Sequence, residues 1–391
     1  EGKTSWAEGD ELLLEIDNTS YGRHNATFTY NGKSWELTSG ELVYLEGDPA
    51  YISHVYYAPN YKWSNTSLML KKGKVAGTDE LIEGKARITG NGETITVSFA
   101  EATRKYSRLR IATLPNEQIT VDTEYFTPAG SSDMEQNGNY TLTSDEKGNA
   151  YLYGTFENNS EVTVKYREAA LTTYTFSQAT ESAKSYALDA TVISANSAEE
   201  IKSAIEQKVA DGKTTIRLNL APNAGTDEFM AIREAIKGAA PNDLGTIELT
   251  IIGVETIPEE AFYKMLQLKS VRMSDVKEIK KYAFKECQYL TVVEAPSLNK
   301  LCSGAFKKCD QLAKLTFGPI NYADERNWPI FEYITPNIDL ILSDYQKEMI
   351  ETDDYLYTAN NDRDYAGSDE HNSKNFLGRE FKSITCRYPV E

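Results

Sequence analysis

Histidine and cysteine are the residue types in this 391-residue chain that most often serve catalysis or bind metals. The histidines show no spacing typical of a catalytic or a zinc site; they are His24, His54 and His371. Cys287 and Cys309 lie 22 residues apart, and Met265 lies 22 residues before Cys287. Because methionine cannot form a thiolate nucleophile, this shared position favours packing of a medium-sized apolar side chain. The sequence therefore predicts no catalytic residue, no metal and no cofactor.

An acidic segment near the end of the chain carries oxygen atoms of the kind that bind calcium. The side chains concerned are Asn360, Asp362, Asp364, Asp369 and Glu370. Tyr365 stands where the EF-hand pattern requires a glycine, so that pattern is absent. We interpret residues 353–374 as a solvated acidic loop, with calcium binding as the alternative.

The overall charge restricts the class of partner. The chain has 59 acidic and 41 basic side chains, a net charge of −18. We therefore expect it to bind neither nucleic acid nor an anionic membrane surface, since both require a basic surface. No apolar run approaches the roughly 18 residues of a transmembrane helix. Glu1 opens on a polar stretch, so we expect either a cytosolic protein or an exported one whose signal has been removed.

A 22-residue repeat between Leu249 and Phe317 is the strongest pattern in the sequence. The apolar positions that recur in successive copies are Val254, Val276 and Leu298; Ile257, Ile279 and Leu301; Phe262, Phe284 and Phe306; and Leu268, Leu290 and Leu312. A single copy cannot bury these side chains alone, so neighbouring copies must stack. A period of this length predicts a leucine-rich-repeat solenoid, in which each copy contributes one short strand to a parallel sheet.

The segment from Ile279 to Val293 carries the pattern Ile-x-x-x-Ala-Phe-x-x-Cys-x-x-Leu-x-x-Val. This pattern resembles the BspA-type leucine-rich repeat, and the resemblance covers roughly residues 195–391. It implies a bacterial surface protein that acts in adhesion and in contact with other proteins. It carries over no catalytic residue.

Residues 1–190 alternate short apolar or aromatic runs with turn sequences, a pattern typical of all-β sandwiches. Leu12, Leu14 and Ile16 occupy every second position beside the polar Glu11 and Glu15, and Asn31–Gly32 is a hairpin turn signal. We predict two all-β sandwich domains, 1–92 and 93–190, separated at Gly90-Asn-Gly92. An α/β leucine-rich-repeat solenoid follows over 191–391.

The two predicted sandwiches resemble the fimbrillin-like proteins of Bacteroides-type bacteria. The resemblance rests on Trp6 with Gly9-Asp10, Leu12–Ile16, Tyr56–Pro59, Val97–Phe99 and Leu109–Ile111. It implies a lipoprotein on the cell surface or outer membrane, anchored through a removed N-terminal segment, of a family that builds adhesive fimbriae. The chain is shorter than a typical member and adds a solenoid, so fimbrial polymerisation does not carry over.

Atypical copies are expected to cap the solenoid at both ends. Ser197 with Glu200 forms a capping box at the start of a helix that Gly212 ends. A second apolar stripe of helical spacing ends at Gly238. Beyond Phe317, strands are predicted at Leu340 and Leu342, and a closing strand at Phe381, Ile384 and Cys386.

All four cysteines lie beyond residue 286 and form no disulfide framework. Cys287 and Cys309 are expected on neighbouring strands about 4.8 Å apart, which is a distance that a disulfide can span. Side chains that run parallel into a core do not point at one another, however. We therefore predict four free thiols, at least two of them buried.

The outward side chains of the predicted sheet form the candidate binding surface: Glu248, Thr250, Ser270, Arg272, Glu294, Lys314 and Thr316. The surface is mixed in charge and lacks the aromatic anchors common at interface hot spots. In the first half, Tyr56, Tyr57, Tyr61 and Trp63 could stack on sugar, although we favour a place for most of them in or beside a core.

The predicted solenoid and the resemblance to surface families together imply a non-enzymatic cell-surface protein that mediates adhesion or protein–protein interaction through its leucine-rich repeats. The expected partners are host matrix proteins or fimbrial components. The alternative is a surface lipoprotein that binds glycans through its tyrosine-rich first half.

Overall fold

The computed structural model describes residues 3–18, 22–42, 50–90, 95–195, 197–323, 329–343, 375–377 and 379–387. Over these ranges the chain is mostly β-structure, with several sheets and two helices. It divides into two compact units, 1–191 and 192–391.

The first sheet of the 1–191 unit is antiparallel. Its strands are β1 (Glu11–Asn18), β2 (Gly22–Tyr30), β3 (Trp35–Gly40), β4 (Ala50–Tyr57), β7 (Ile82–Gly90) and β8 (Ile95–Thr103), in the order β3-β2-β1-β4-β7-β8. A small hairpin of β5 (Tyr61–Ser64) and β6 (Ser67–Leu70) lies outside it. The predicted turn at Asn31–Gly32 is confirmed, because β2 and β3 pair and Gly32 has a φ of 89°.

Side chains along β1 point alternately to the two faces of the sheet, but the predicted alternation with polar neighbours fails at Leu13. Leu12, Leu14 and Ile16 pack in one buried cluster with neighbours on β2 and β4. Leu13, on the opposite face, is also buried and packs in a second cluster with Tyr61. The sheet is therefore covered on both faces at this strand.

The second sheet of this unit has seven strands. They are β9 (Ser107–Ala112), β10 (Gln118–Pro128), β11 (Glu135–Thr143), β12 (Asn149–Phe156), β13 (Glu161–Tyr166), β14 (Ala169–Thr175) and β15 (Ser185–Asp189), in the order β14-β13-β10-β12-β9-β15 with β11 on β10. Its core holds stacked rings, with Phe156 between Phe126 at 4.4 Å and Phe176 at 4.7 Å. Only β15 runs parallel to its neighbour, β9.

The predicted boundary at residues 92/93 falls between two strands that pair with each other. β7 and β8 are antiparallel partners, so the first sheet extends to Thr103. The strand predicted around Val97 therefore belongs to the first sheet instead of the second. The division into three domains stays a prediction.

The 192–391 unit contains an eight-stranded parallel sheet. Its strands follow chain order: β16 (Ile193–Ser194), β17 (Thr215–Asn219), β18 (Ile247–Ile252), β20 (Leu268–Met273), β22 (Val292–Ala295), β24 (Lys314–Phe317), β26 (Asp339–Ser343) and β29 (Ser383–Arg387). A four-stranded parallel sheet has β19 (Thr256–Ile257), β21 (Glu278–Ile279), β23 (Lys300–Leu301) and β25 (Tyr322–Ala323). β27 (Asn375–Phe376) pairs with β28 (Arg379–Glu380).

Residues 22 apart in sequence are direct neighbours in both sheets. Leu249 pairs with Val271, Val271 with Val293, and Val293 with Leu315. The ladder continues from Leu315 to Leu340 and then to Ile384, which confirms the strands predicted beyond the regular repeat. Parallel pairing in constant register is the arrangement that the period predicts.

Two helices precede the regular copies. α1 spans Ala198–Ala210, and its N-cap Ser197 accepts a hydrogen bond from the backbone N–H of Glu200, as predicted. α2 spans Thr226–Ala239 and buries Phe229, Ile232 and Ile236. The acidic segment 353–374, which includes His371, lies outside the described residues.

A ladder of phenylalanines runs through the core of the 192–391 unit. Rings lie next to one another from Phe229 to Phe262, Phe284, Phe306, Phe331 and Phe381, with centroids 5.1–5.8 Å apart. All six are buried. Each copy therefore shares part of its apolar surface with the next.

The cysteines form no disulfide, as predicted. Cys287 and Cys309 are fully buried, and each Sγ donates to a backbone carbonyl of the preceding copy at 3.0 Å, Phe262 O and Phe284 O respectively. Burial raises the pKa of Cys287 to about 12 and that of Cys309 well above its ordinary value. Neither thiol has the character of a nucleophile.

Candidate functional site

The candidate surface consists of two rows of side chains on the outer face of the parallel sheet. Register places Glu248 beside Ser270, Val292 and Lys314 in one row, and Thr250 beside Arg272, Glu294 and Thr316 in the other. The intervening residues, such as Val271 and Leu315, point into the core and are fully buried. The structure thus brings all seven predicted residues onto one face.

The rows extend beyond the residues that the repeat identifies. Thr215 and Arg217 continue them on β17, and Asp339 and Ile341 on β26. On β29, Ser383 and Thr385 complete the face. The sequence could have identified these additional residues, because the two-residue alternation around Ile216, Leu340 and Ile384 already indicated the three strands.

Ion pairs connect adjacent copies across the face. Arg272 Nε lies 2.9 Å from Glu294 Oε2, and Lys314 Nζ lies 3.6 Å from Glu294 Oε1. Lys269 pairs with Glu248 at 2.8 Å, and Lys382 pairs with Asp339 at 2.9 Å. Charges of both signs alternate along the surface, and each acidic side chain has a basic neighbour. Such pairs contribute little stability at exposed positions but define a charge pattern that a partner can match.

Accessibility differs between the first strands of the face and its centre. Thr250 is 5% exposed, and Arg217 beside it is 6% exposed. Arg272 retains 45% of its side-chain exposure and Lys314 retains 43%. The surface available to a partner is therefore centred on β20, β22 and β24.

The tyrosine-rich stretch of the first half belongs largely to the core, as favoured from the sequence. Tyr57 and Tyr61 are 9% and 5% exposed. Tyr61 Oη donates to Ala129 O at 2.9 Å, and burial raises the pKa of Tyr61 to about 12. Tyr56 and Trp63 are half-buried and pack edge to face at 6.3 Å. These rings are not arranged as a platform for sugar.

The histidines show no metal-binding arrangement within the described ranges. His54 Nδ1 lies 2.6 Å from Glu83 Oε1, and Glu83 also pairs with Lys105. Burial opposes ionisation of Glu83, but the hydrogen bonds from Lys105 and His54 outweigh it and lower its pKa. No group of three or more His, Cys, Asp or Glu side chains could hold a metal ion in the described part of the chain.

The regular copies are similar to a known repeat family. Residues 243–337 match the model of the BspA type leucine rich repeat region in six copies. Proteins of this repeat family are generally non-enzymatic, and leucine-rich-repeat domains generally mediate protein interactions. Comparisons with curated proteins and with solved structures give no match. Within the described ranges, neither helix is long and apolar enough to cross a bilayer.

Proposed function

We propose that this chain is a non-enzymatic surface protein that binds another protein through the exposed face of its parallel sheet. Residues 192–391 then form a leucine-rich-repeat solenoid, capped by α1 and α2 at one end and by β29 at the other. The observation that carries this proposal is the pair of side-chain rows on β20, β22 and β24, which constant register aligns over adjacent copies.

The chemistry of the face indicates the kind of partner. Arg272, Glu294 and Lys314 present cation, anion and cation in sequence across about two strand spacings of roughly 4.8 Å each. Ser270 and Thr316 add hydroxyls on either side. A polar protein surface with complementary charges can match this pattern, whereas an apolar helix finds no groove of apolar side chains on it.

The fimbrillin-like resemblance of the first half supports a place on the cell surface or outer membrane, with a lipid anchor. The β-rich 1–191 unit is compatible with the two sandwich modules of that family. Protease treatment of intact cells tests this location. Cleavage of the protein on intact cells supports it, and protection until the cells are lysed contradicts it.

Binding of the full-length chain to immobilised, purified extracellular-matrix proteins and fimbrial subunits tests the proposed function. We expect saturable binding to at least one of them, weakened by rising salt because charged rows carry the recognition. Absence of saturable binding to every member of the panel at low salt contradicts the proposal.

A further inference from the structure

A cavity of about 290 Å³ lies within the 1–191 unit, where the first sheet passes to the second. It is lined by residues just before β7, just after β8, at the start of β9 and around the start of β15, together with Tyr153 of β12. The charged and aromatic side chains of the lining are Glu80, Arg104, Tyr106, Arg108, Tyr153 and Lys184. The volume is at the lower end of the roughly 300–1,000 Å³ typical of ligand pockets, and it suits one small molecule.

The floor of the cavity is a row of three side chains across the second sheet. Register places Arg108 on β9 between Tyr153 on β12 and Ser185 on β15. Arg108 Nε donates to Ser185 Oγ at 3.1 Å, and its guanidinium lies 5.5 Å from the ring of Tyr151. Its two Nη groups make no hydrogen bond to any described residue. The hydrogen bond from Nε thus holds the guanidinium in place, while its two Nη groups stay available to donate to a ligand.

The one carboxylate in the lining, that of Glu80, already has hydrogen-bond partners for both of its oxygens. Glu80 is 7% exposed, and its Oε1 accepts from Arg104 Nε at 2.5 Å. Its Oε2 accepts from the backbone N–H of Lys3 at 2.9 Å. Lys184 pairs with Glu181 at 2.6 Å on the exposed rim. Arg108 is therefore the cation in the lining that is left without an anionic partner among the described residues.

This local charge is opposite to that of the whole molecule. Three cationic side chains and one carboxylate line the cavity, in a chain whose net charge is −18. A small anion is favoured here and is disfavoured over most of the remaining surface. The planar guanidinium of Arg108 matches a carboxylate with two parallel hydrogen bonds.

Two half-buried tyrosines add aromatic surface and hydroxyl groups to the cavity. Tyr153 and Tyr106 present ring surface to it. Burial is the main reason that the pKa of Tyr153 is raised, so its hydroxyl stays protonated and can donate throughout the physiological pH range. Aromatic surface with nearby hydroxyls suits a ring that carries apolar C–H faces and polar edges.

We propose that this cavity binds a carboxylated monosaccharide, such as a uronic acid residue. The carboxylate pairs with Arg108, and the sugar ring packs against Tyr153 and Tyr106. Ser185 and the Tyr153 hydroxyl contact the sugar hydroxyls. This site goes beyond the protein-binding function proposed for the parallel sheet, and it differs from the buried stretch around Tyr61.

Titration of the full-length chain with glucuronate, glucose and acetate, followed by NMR, tests the proposal. We expect glucuronate to bind at least tenfold more tightly than glucose and acetate, since only it satisfies both Arg108 and the tyrosines. Equal affinity for glucose, equal affinity for acetate, or no binding of glucuronate each overturns the proposal.

Three variants on one strand assign the binding to Arg108. Arg108→Ala is expected to weaken glucuronate binding at least tenfold, and Arg108→Lys to weaken it less, because charge is kept while the fork is lost. Arg110→Ala removes an exposed arginine two residues away that does not line the cavity, and should change the affinity less than twofold. Unchanged binding in Arg108→Ala, or an equal loss in Arg110→Ala, overturns the assignment. Unchanged dispersion of the spectrum shows that each variant is folded.

Discussion

Phe284 and Phe306 stack with their ring centroids 5.4 Å apart and their planes 7° from parallel. The two residues are 22 positions apart in sequence and occupy the same place in successive copies. Neither ring would be buried by its own copy alone, so each depends on the neighbouring copy for its contacts. This dependence makes the 192–391 unit cooperative and determines where it is most sensitive to substitution.

A charge in the middle of the stack should unfold this unit. Leu290 is fully buried, so Leu290→Asp places an unpaired carboxylate in the core at a cost of several kcal/mol. We expect thermal unfolding of the full chain to lose the transition of the 192–391 unit and keep that of 1–191. Gln288→Asp, two residues away on the exposed surface, serves as the control and should leave both transitions in place. Retention of both transitions in Leu290→Asp would mean that the register is wrong.

Thiol reactivity should separate the cysteines into two pairs. The raised pKa values of Cys287 and Cys309 leave almost no thiolate at pH 8, and both are fully buried. Cys302 and Cys386 are partly exposed. In the native protein we expect two thiols to react with a disulfide reagent in minutes and two to react only on unfolding. A total of two or fewer after denaturation without reductant would contradict four free thiols.

Glycine at a left-handed position should contribute measurably to stability. Gly304 has a φ of 62°, and the equivalent residues of the two preceding copies, Glu260 and Tyr282, have φ values of 56° and 57°. Gly304→Ala is expected to cost about 1 kcal/mol, because a Cβ disfavours this conformation. Gly238→Ala, near the end of α2 with nothing within 4 Å of an added Cβ, should instead stabilise by up to about 1 kcal/mol. Equal effects of the two substitutions in urea denaturation would contradict the assigned backbone conformation.

Acid should weaken the 1–191 unit through Glu83. Its pKa is lowered in the folded state, where Lys105 and His54 hydrogen-bond to the carboxylate and outweigh the effect of burial. A lowered folded-state pKa contributes stability above the unfolded value of about 4.5, and that stability is lost as pH falls below it. Glu83→Gln should be less stable than the parent at pH 7, and the difference should shrink towards pH 3. A difference that does not change with pH would rule out ionisation as its cause.

The repeat could be predicted from sequence because stacking imposes a constant spacing on the buried side chains. Phe331 could not be placed in the same way, since it follows Phe306 by 25 residues although it fills the next position in the ladder. A loop between copies can change in length without moving the core residue that follows it. A search at a fixed 22-residue period therefore misses core residues that follow a loop of different length.

The cavity of the 1–191 unit and the predicted domain boundary at residues 92/93 both depend on which strands pair, and local sequence does not reveal strand pairing. Glu80 and Lys184 lie about one hundred residues apart, and only strand order brings them to one cavity. Gly90-Asn-Gly92 predicts a boundary between domains, but Asn-Gly is equally typical of a hairpin, and the strands on either side of it pair. Local composition identifies a turn without revealing whether the chain stays in the same sheet.

Binding of a protein partner to the charged face of the parallel sheet is tested by the affinity of the double variant Arg272→Ala/Lys314→Ala for the bound member of the matrix and fimbrial panel. Lys264→Ala/Lys280→Ala is the matched control, because it removes two exposed lysines from outside the two rows. We predict at least a tenfold loss of affinity for the first variant and less than a twofold change for the second. Equal affinities for both variants and the parent would contradict the claim.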